Sequence, residues 1–304
     1  AAALGLSGFA ATAFNFIATQ AVGALFGGDE VGGGGGRGVN DAGLLLNSTG
    51  SNKSVEVVYG DRRIGGTRVY IDTTDQSGTP GDDNNEYLHL AIAICQGGVR
   101  TDNLDTIKSI DKILFNDKTA WTASGGIESD FSGLMDLRLY YGKGGSATAQ
   151  DVASPDVSDN SIDTNILSVS DDWTSNHRMN GVAYAYLILK YDREKFPGLP
   201  TILFDVKGKG VDNGSGFTKT DADRKNPAYV LRDYLQSSRY GKGLTDAELD
   251  LDSFGTAATY CSNAGLEFNG AVLTSNTIFQ NVQQILAAGN LNLVFSAGKY
   301  RVSP

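Results

Sequence analysis

The hydrophobic period changes once along the chain, and that change limits the fold more than any other feature of the sequence. From Ser54 apolar residues recur at every second position, the spacing of strands; beyond Asp221 they recur at helical spacing. Val55, Val57 and Tyr59 alternate with Glu56 and Val58, Gly60 to Gly66 supplies turn residues, and Thr67 to Asp72 resumes the alternation. This predicts a hairpin whose connection holds Asp61, Arg62 and Arg63, charges that a turn can display to a neighbouring subunit. Glu86 to Cys95 continues with Leu88, Leu90, Ile92 and Ile94 on one face and His89 on the other, so His89 is expected at the strand surface. Further strands are expected over Ser109–Asn116, Leu134–Tyr141, Gly181–Tyr191 and Pro200–Lys207, with the longest loop running from Gly142 to about Asp172.

In the helical part, Asn226 is placed to cap and Pro227 to open a helix whose face carries Val230, Leu231, Tyr234 and Leu235 before Gly241 stops it. Tyr234 and Leu235 are expected in a core, and pairing among Arg232, Asp233 and Arg239 is expected to pin the helix end. Ser253–Ala264 and Asn276–Ala288 predict two more helices, and Leu291–Phe295 with Lys299–Val302 a closing hairpin. The fold class is therefore β-rich α+β. The division is an apolar N-terminal segment with a glycine hinge (1–38), a β-rich part (39–220) and a small α+β part (221–304), the boundary falling near the polar stretch Gly208–Lys225.

Residues 1–28 carry no charge and are long enough to span a bilayer, yet hold five glycines and several polar side chains, and no basic residue precedes Arg37. A helix buried against protein is the expectation, with membrane contact and disorder the alternatives. Gly33, Gly35 and Gly38 match a dinucleotide fingerprint only because Gly32–Gly36 is a glycine run. Neither a strand before it nor a helix after it is expected, so no cofactor follows.

Charge and chemistry exclude several classes of function. With 25 Lys and Arg against 35 Asp and Glu the formal net charge is -10, which repels a phosphate backbone, so no sequence-specific nucleic-acid binding is expected. Cys95 and Cys261 are far apart, and His89 and His177 lack metalloprotease spacing. Asp250, Asp252 and Gly255 share spacing with a calcium loop, but Phe254 occupies a ligand position and Cys261 stands in place of the bidentate Glu; an exposed acidic turn is the better reading. The acidic runs Asp82–Glu86 and Asp156–Asp163 read as solvated loops. His177 has no nucleophile placed for it by a recognisable turn. No catalytic, metal or cofactor residue is assigned.

Three blocks carry a family resemblance. The first is Val57 to Gly66, containing Tyr59, Gly60, Arg62, Arg63, Gly65 and Gly66, followed by Glu86 to Ala93. The second runs from Trp173 to Arg178, through Ala185 to Asp192, to Phe196-Pro197-Gly198-Leu199-Pro200 and Asp205 to Gly208. The third is Asn226-Pro227 to Leu235, containing Asp233 and Tyr234, continuing to Arg239-Tyr240-Gly241-Lys242-Gly243. Together, over residues 54 to 302, they resemble the central tail hub or tip attachment proteins of long-tailed bacteriophages, the family of lambda protein J.

The resemblance implies β-barrel-like or sandwich-like hub domains followed by a small α+β domain, assembling as a homotrimeric ring that continues the tail tube. It implies a non-enzymatic virion protein at the tail tip, with the tail tube or distal tail protein, the tape measure protein and other tail-tip or receptor-binding proteins as partners, and DNA only in transit. Residues 1–27 are then expected to pack on other tail components, the aspartate-bearing loops to face the lumen, and Arg62, Arg63 and Arg239 to lie in subunit contacts. Family members are usually much longer, with C-terminal fibronectin-like and receptor-binding parts, so residues 1–304 are expected to be a minimal hub or the ordered part of a longer chain. Receptor binding is not expected of them. A tail-tip enzyme that degrades cell wall and a secreted β-rich binding module are the alternatives.

Overall fold

The computed structural model describes residues 47–49, 54–74, 86–145, 150–162, 173–196 and 198–304. The N-terminal segment 1–38, most of the acidic run 82–86, Asp163 and Pro197 lie outside the described residues. Along the chain come β1 (Ser48–Thr49), β2 (Val57–Tyr59), β3 (Asp61–Ile64), β4 (Thr67–Thr74), β5 (Tyr87–Gln96), β6 (Ile107–Phe115), β7 (Lys118–Thr122), β8 (Gly126–Ile127), β9 (Met135–Tyr141), β10 (Val157–Asn160), β11 (Val182–Lys190) and β12 (Ile202–Lys209). There follow β13 (Val211–Asp212), β14 (Phe217–Thr218), α1 (Asp221–Arg224), α2 (Pro227–Gln236), α3 (Leu251–Ala264), β15 (Gly270–Val272), α4 (Ile278–Gly289), β16 (Asn292–Ser296) and β17 (Lys299–Ser303).

Two sheets form the first unit, one ordered β1-β4-β5-β11-β9-β10 and the other β3-β12-β6-β7-β8. Their facing sides share one core, in which Leu88, Leu90, Ile92 and Ile94 of β5 meet Ile110, Ile113 and Phe204. The arrangement is a sandwich of open sheets, and among the described residues no barrel closes. At each margin side chains bridge the two sheets. Beside β1, Asn47 accepts the Ile202 N–H at 2.6 Å and donates to the Ile202 carbonyl at 2.8 Å, acting as a strand partner for β12. At the other margin the Asp159 carboxylate of β10 accepts from Trp121 Nε1 and from the Ile127 N–H, both at 3.0 Å.

The second face of the larger sheet is also covered. Tyr87, Tyr140, Tyr184 and Tyr186 form an aromatic layer under Ile162, with Trp173 packed against it. His89 is therefore fully buried and not at the surface: its ring nitrogens lie 2.8 Å from Thr74 Oγ1 and 3.0 Å from Tyr186 Oη. Alternation separates the two faces of a strand but does not say whether the second face meets water.

The expected hairpin of Val55–Tyr59 with Thr67–Asp72 does not form. β2 pairs antiparallel with β15, Tyr59 opposite Gly270, while β3 joins β12 and β4 joins β5. Gly60 makes the change of partner feasible: it sits at φ 65°, and a Cβ there would lie 2.2 Å from the Phe268 carbonyl oxygen. Val57 and Tyr59 thus belong to a second core, with Leu231, Tyr234 and Leu235 of α2, Phe254 and Cys261 of α3, and Ile285 of α4.

In that second unit Asn226 accepts the Ala228 N–H at 3.0 Å and donates to the Ala258 carbonyl at 2.9 Å, capping α2 and tying it to α3. Helix α2 ends at Gln236, ahead of Gly241, which serves the following turn; a Cβ on Gly241 would meet the Tyr234 carbonyl. Asp250 caps α3 and Phe254 is buried, so the calcium-like spacing is a helix start. Among the described residues no helix is long and apolar enough to cross a membrane.

Candidate functional site

Two neighbouring features gather half of the charged residues of the first and third sequence blocks. One is a groove of about 610 Å³ on the outer face of the smaller sheet, lined by Asp61, Arg62 and Arg63 of β3, Asp111 and Lys112 of β6, and Asp205, Val206 and Lys207 of β12. Strand register explains it. Arg63 stands opposite Asp205, which stands opposite Lys112, and Asp61 stands opposite Lys207, so opposite charges alternate across three strands. Arg63 grips Asp205 with two bonds, Nε to Oδ1 at 2.6 Å and Nη2 to Oδ2 at 2.9 Å. Lys207 reaches Asp111 at 2.7 Å.

Asp61 is held from below by α1 and its C-terminal neighbour. Arg224, whose side chain has no exposure, reaches it at 2.5 Å and Asp221 at 2.6 Å, while Lys225 reaches it at 2.7 Å. Burial opposes ionisation of Asp61, but these cations outweigh it and its pKa falls below the usual carboxylate range. Hydrogen bonds from Lys108 and Arg224 bring Asp221 down to about 2. Each of these acids is a fixed anion, the opposite of a poised proton donor.

The second feature joins the two units. Lys209, at the end of β12, donates to both oxygens of Asp233 on α2, at 2.8 and 2.7 Å, and both side chains are almost wholly buried. Tyr59 donates to Asp233 at 2.5 Å and Tyr240 at 3.2 Å. The ammonium lies over both rings, 5.5 Å from Tyr59 and 5.7 Å from Tyr240. Burial alone would push the Lys209 pKa down, yet Asp233 holds the charge and the net shift is upward; burial and the same carboxylate push Tyr59 well above its usual value.

The expected pairing among Arg232, Asp233 and Arg239 is absent: Arg232 faces Asp212 and Asp246, Asp233 takes Lys209, and Arg239 donates to the Gly181 carbonyl of the first unit at 3.2 Å. Arg232 and Asp233 are adjacent on the helix and point to different faces, and Arg239 lies beyond its last residue, Gln236. Gly65 and Gly66 offer their carbonyls to Asn47 and to the Ser48 N–H, anchoring the stretch before β2, and Gly198 lies half-buried in a bend. Lys209 was not visible as a site residue, because a lysine at a strand end reads as solvent-facing; Asp233 between Leu231 and Tyr234 was the signal that a buried cation had to be near. Asp156 and Asp159 of the second acidic run are engaged by Lys143 and Trp121. Among the described residues no three metal-ligating side chains converge.

The buried ion pair thus lies beside a charged sheet groove, and the comparisons with known proteins found similarity to components of virions. The baseplate hub protein pb3 of Escherichia phage T5 is 26% identical over 159 residues, 43% of this chain and 17% of that protein. The chain thus spans about a sixth of the length of the curated relative it matches. Among solved structures, a chain of the virion of a native gene transfer agent particle is similar with a TM-score of 0.45 and 16% identity, over 96% of this chain and 63% of that one. No family model matches.

Proposed function

We propose that this chain is a structural hub at the distal tip of a phage tail, of the kind represented by lambda protein J. Its role is to continue the tail tube as a homotrimeric ring, linking it to the tape measure protein within and to the distal tail and host-attachment parts around it, with DNA passing through. The observation that carries the reading is the similarity to a phage baseplate hub protein, which agrees in class with the three sequence blocks. The first and third blocks come together in one place: Tyr59 of the first donates to Asp233 of the third. The division into 39–220 and 221–304 that we propose has the support of two cores, although β2 and Val211 of the first part pack in the second core.

A cell-wall hydrolase would need a carboxyl group whose proton is held near neutral pH. The acids lining the groove are each held by a cation instead, which favours architecture over catalysis. Imaging of intact particles with a tag on this chain provides the test. Threefold density at the tail tip is the expected result; tagged density in the capsid or the tube wall, or a copy number that is not a multiple of three, overturns the reading.

A further inference from the structure

The groove has a charge balance unlike that of the chain around it. Its lining sets Arg62, Arg63, Lys112 and Lys207 against three carboxylates, and Lys108, Arg224 and Lys225 stand beside it with Asp221 and Glu267, in a protein of net charge -10. Those three carboxylates are already occupied by Arg63, Lys207, Arg224 and Lys225. Lys112 is exposed and has no anionic partner among the described residues. The groove is thus prepared to receive carboxylates, not cations.

The second unit carries a matching surface. Asp246, Glu248, Asp250 and Asp252 fall within seven residues at the entrance to α3. Asp246, Glu248 and Asp252 are exposed, and neither Glu248 nor Asp252 has a cation within ion-pair distance among the described residues. Among the described residues nothing pairs this stretch with the groove, where Lys112 alone of the lysines stands outside the ion pairs with Asp61, Asp111, Asp205 and Asp221.

We infer that the groove on the first unit of one copy receives the Asp246–Asp252 stretch on the second unit of the next copy. Such a contact joins two different surfaces. Repeated around an axis it is heterologous, the kind that closes a ring and not a twofold dimer. The inference rests on the trimeric reading above and names the surfaces that build it. Charge complementarity selects the occupant: an acidic chain of this composition offers few cation-rich surfaces, and a cation-rich groove placed against itself across a twofold gains nothing.

The test uses the full chain, mixed from isotopically labelled and unlabelled protein, with a water-soluble carbodiimide that joins an amine to a carboxylate in direct contact. The expected product is an inter-copy bond between Lys112 or Lys108 and the peptide containing Asp246–Asp252. In parallel, Lys112→Glu and, separately, Asp252→Lys should each weaken trimer formation about tenfold by light scattering, as should raising NaCl from about 50 to about 500 mM, while circular dichroism stays unchanged. A trimer that persists in both variants, or whose inter-copy bonds lie elsewhere, overturns this contact and leaves the trimer standing. A wild-type chain that remains monomeric at all concentrations overturns the trimer itself, and this contact with it.

Discussion

At the scale of single residues, stability is concentrated where charge or a titratable group has been taken out of water. His89 is the clearest case: burial, only partly offset by Asp72, lowers its pKa to about 4 from an ordinary 6.5. Between those values the unfolded chain binds a proton that the folded chain refuses, so stability is complete above pH 6.5 and is lost as the pH falls toward 4. The difference amounts to about 3 kcal/mol at most. Urea titrations from pH 7 to 4 should show that decline, and His89→Gln should flatten it; an equally steep decline in the variant would assign the effect to other groups. Lys209 and Asp233 give a second prediction. Asp233→Asn leaves a buried ammonium without its counter-charge and should cost about 3–5 kcal/mol, whereas Lys209→Met combined with Asp233→Asn, which keeps an acceptor for the Tyr59 hydroxyl, should cost much less. A double-mutant cycle by chemical denaturation measures the difference, and additive costs would mean that the pair is not coupled.

At the scale of elements, period and caps were enough to find most of the secondary structure. Strands β5, β6, β9, β11 and β12 fall within about two residues of their expected positions, and α2 begins where Asn226 and Pro227 said it would. What could not be read was pairing between distant segments. Nothing in Val57-Val58-Tyr59 announces that its partner is Gly270–Val272, because a strand's hydrogen bonds are made by a backbone common to every sequence. The charged groove was legible only as a charged turn for the same reason: Arg63 acquires Asp205 through register, not proximity in sequence. Helix α2 is where an element-scale prediction is sharpest. Tyr234 is buried and accepts a hydrogen bond from Asn281 of α4 at 3.0 Å, so Tyr234→Ala removes packing and one of the two partners of a buried amide, which keeps the Leu273 carbonyl. A loss of roughly 3 kcal/mol is expected in thermal and urea unfolding, and an unchanged transition would mean that the face is exposed in solution.

For the whole molecule, two open sheets and a helical unit are held together by contacts that belong to neither alone: Lys209 on Asp233, and Arg239 on Gly181. In the proposed ring, a lumen that passes DNA should be lined by carboxylates and neutral groups, since basic residues would hold the phosphates. A reconstruction of the assembled ring should place aspartate-bearing loops inward and Arg62, Arg63 and Arg239 at subunit contacts; a lumen dominated by Lys and Arg would rule this out. The chain crossing at Gly60 also sets an order in time. The Asp61 N–H donates to Asn269, 208 residues further on, and the neighbouring strand β2 finds β15 only when that same late stretch has been made. At about 5–20 residues per second a ribosome takes roughly 10–40 s to cover the distance. Throughout that interval Val57-Val58-Tyr59 is an uncharged strand without its mate, a window in which a holding chaperone or a neighbouring nascent copy competes with the chain's own far end.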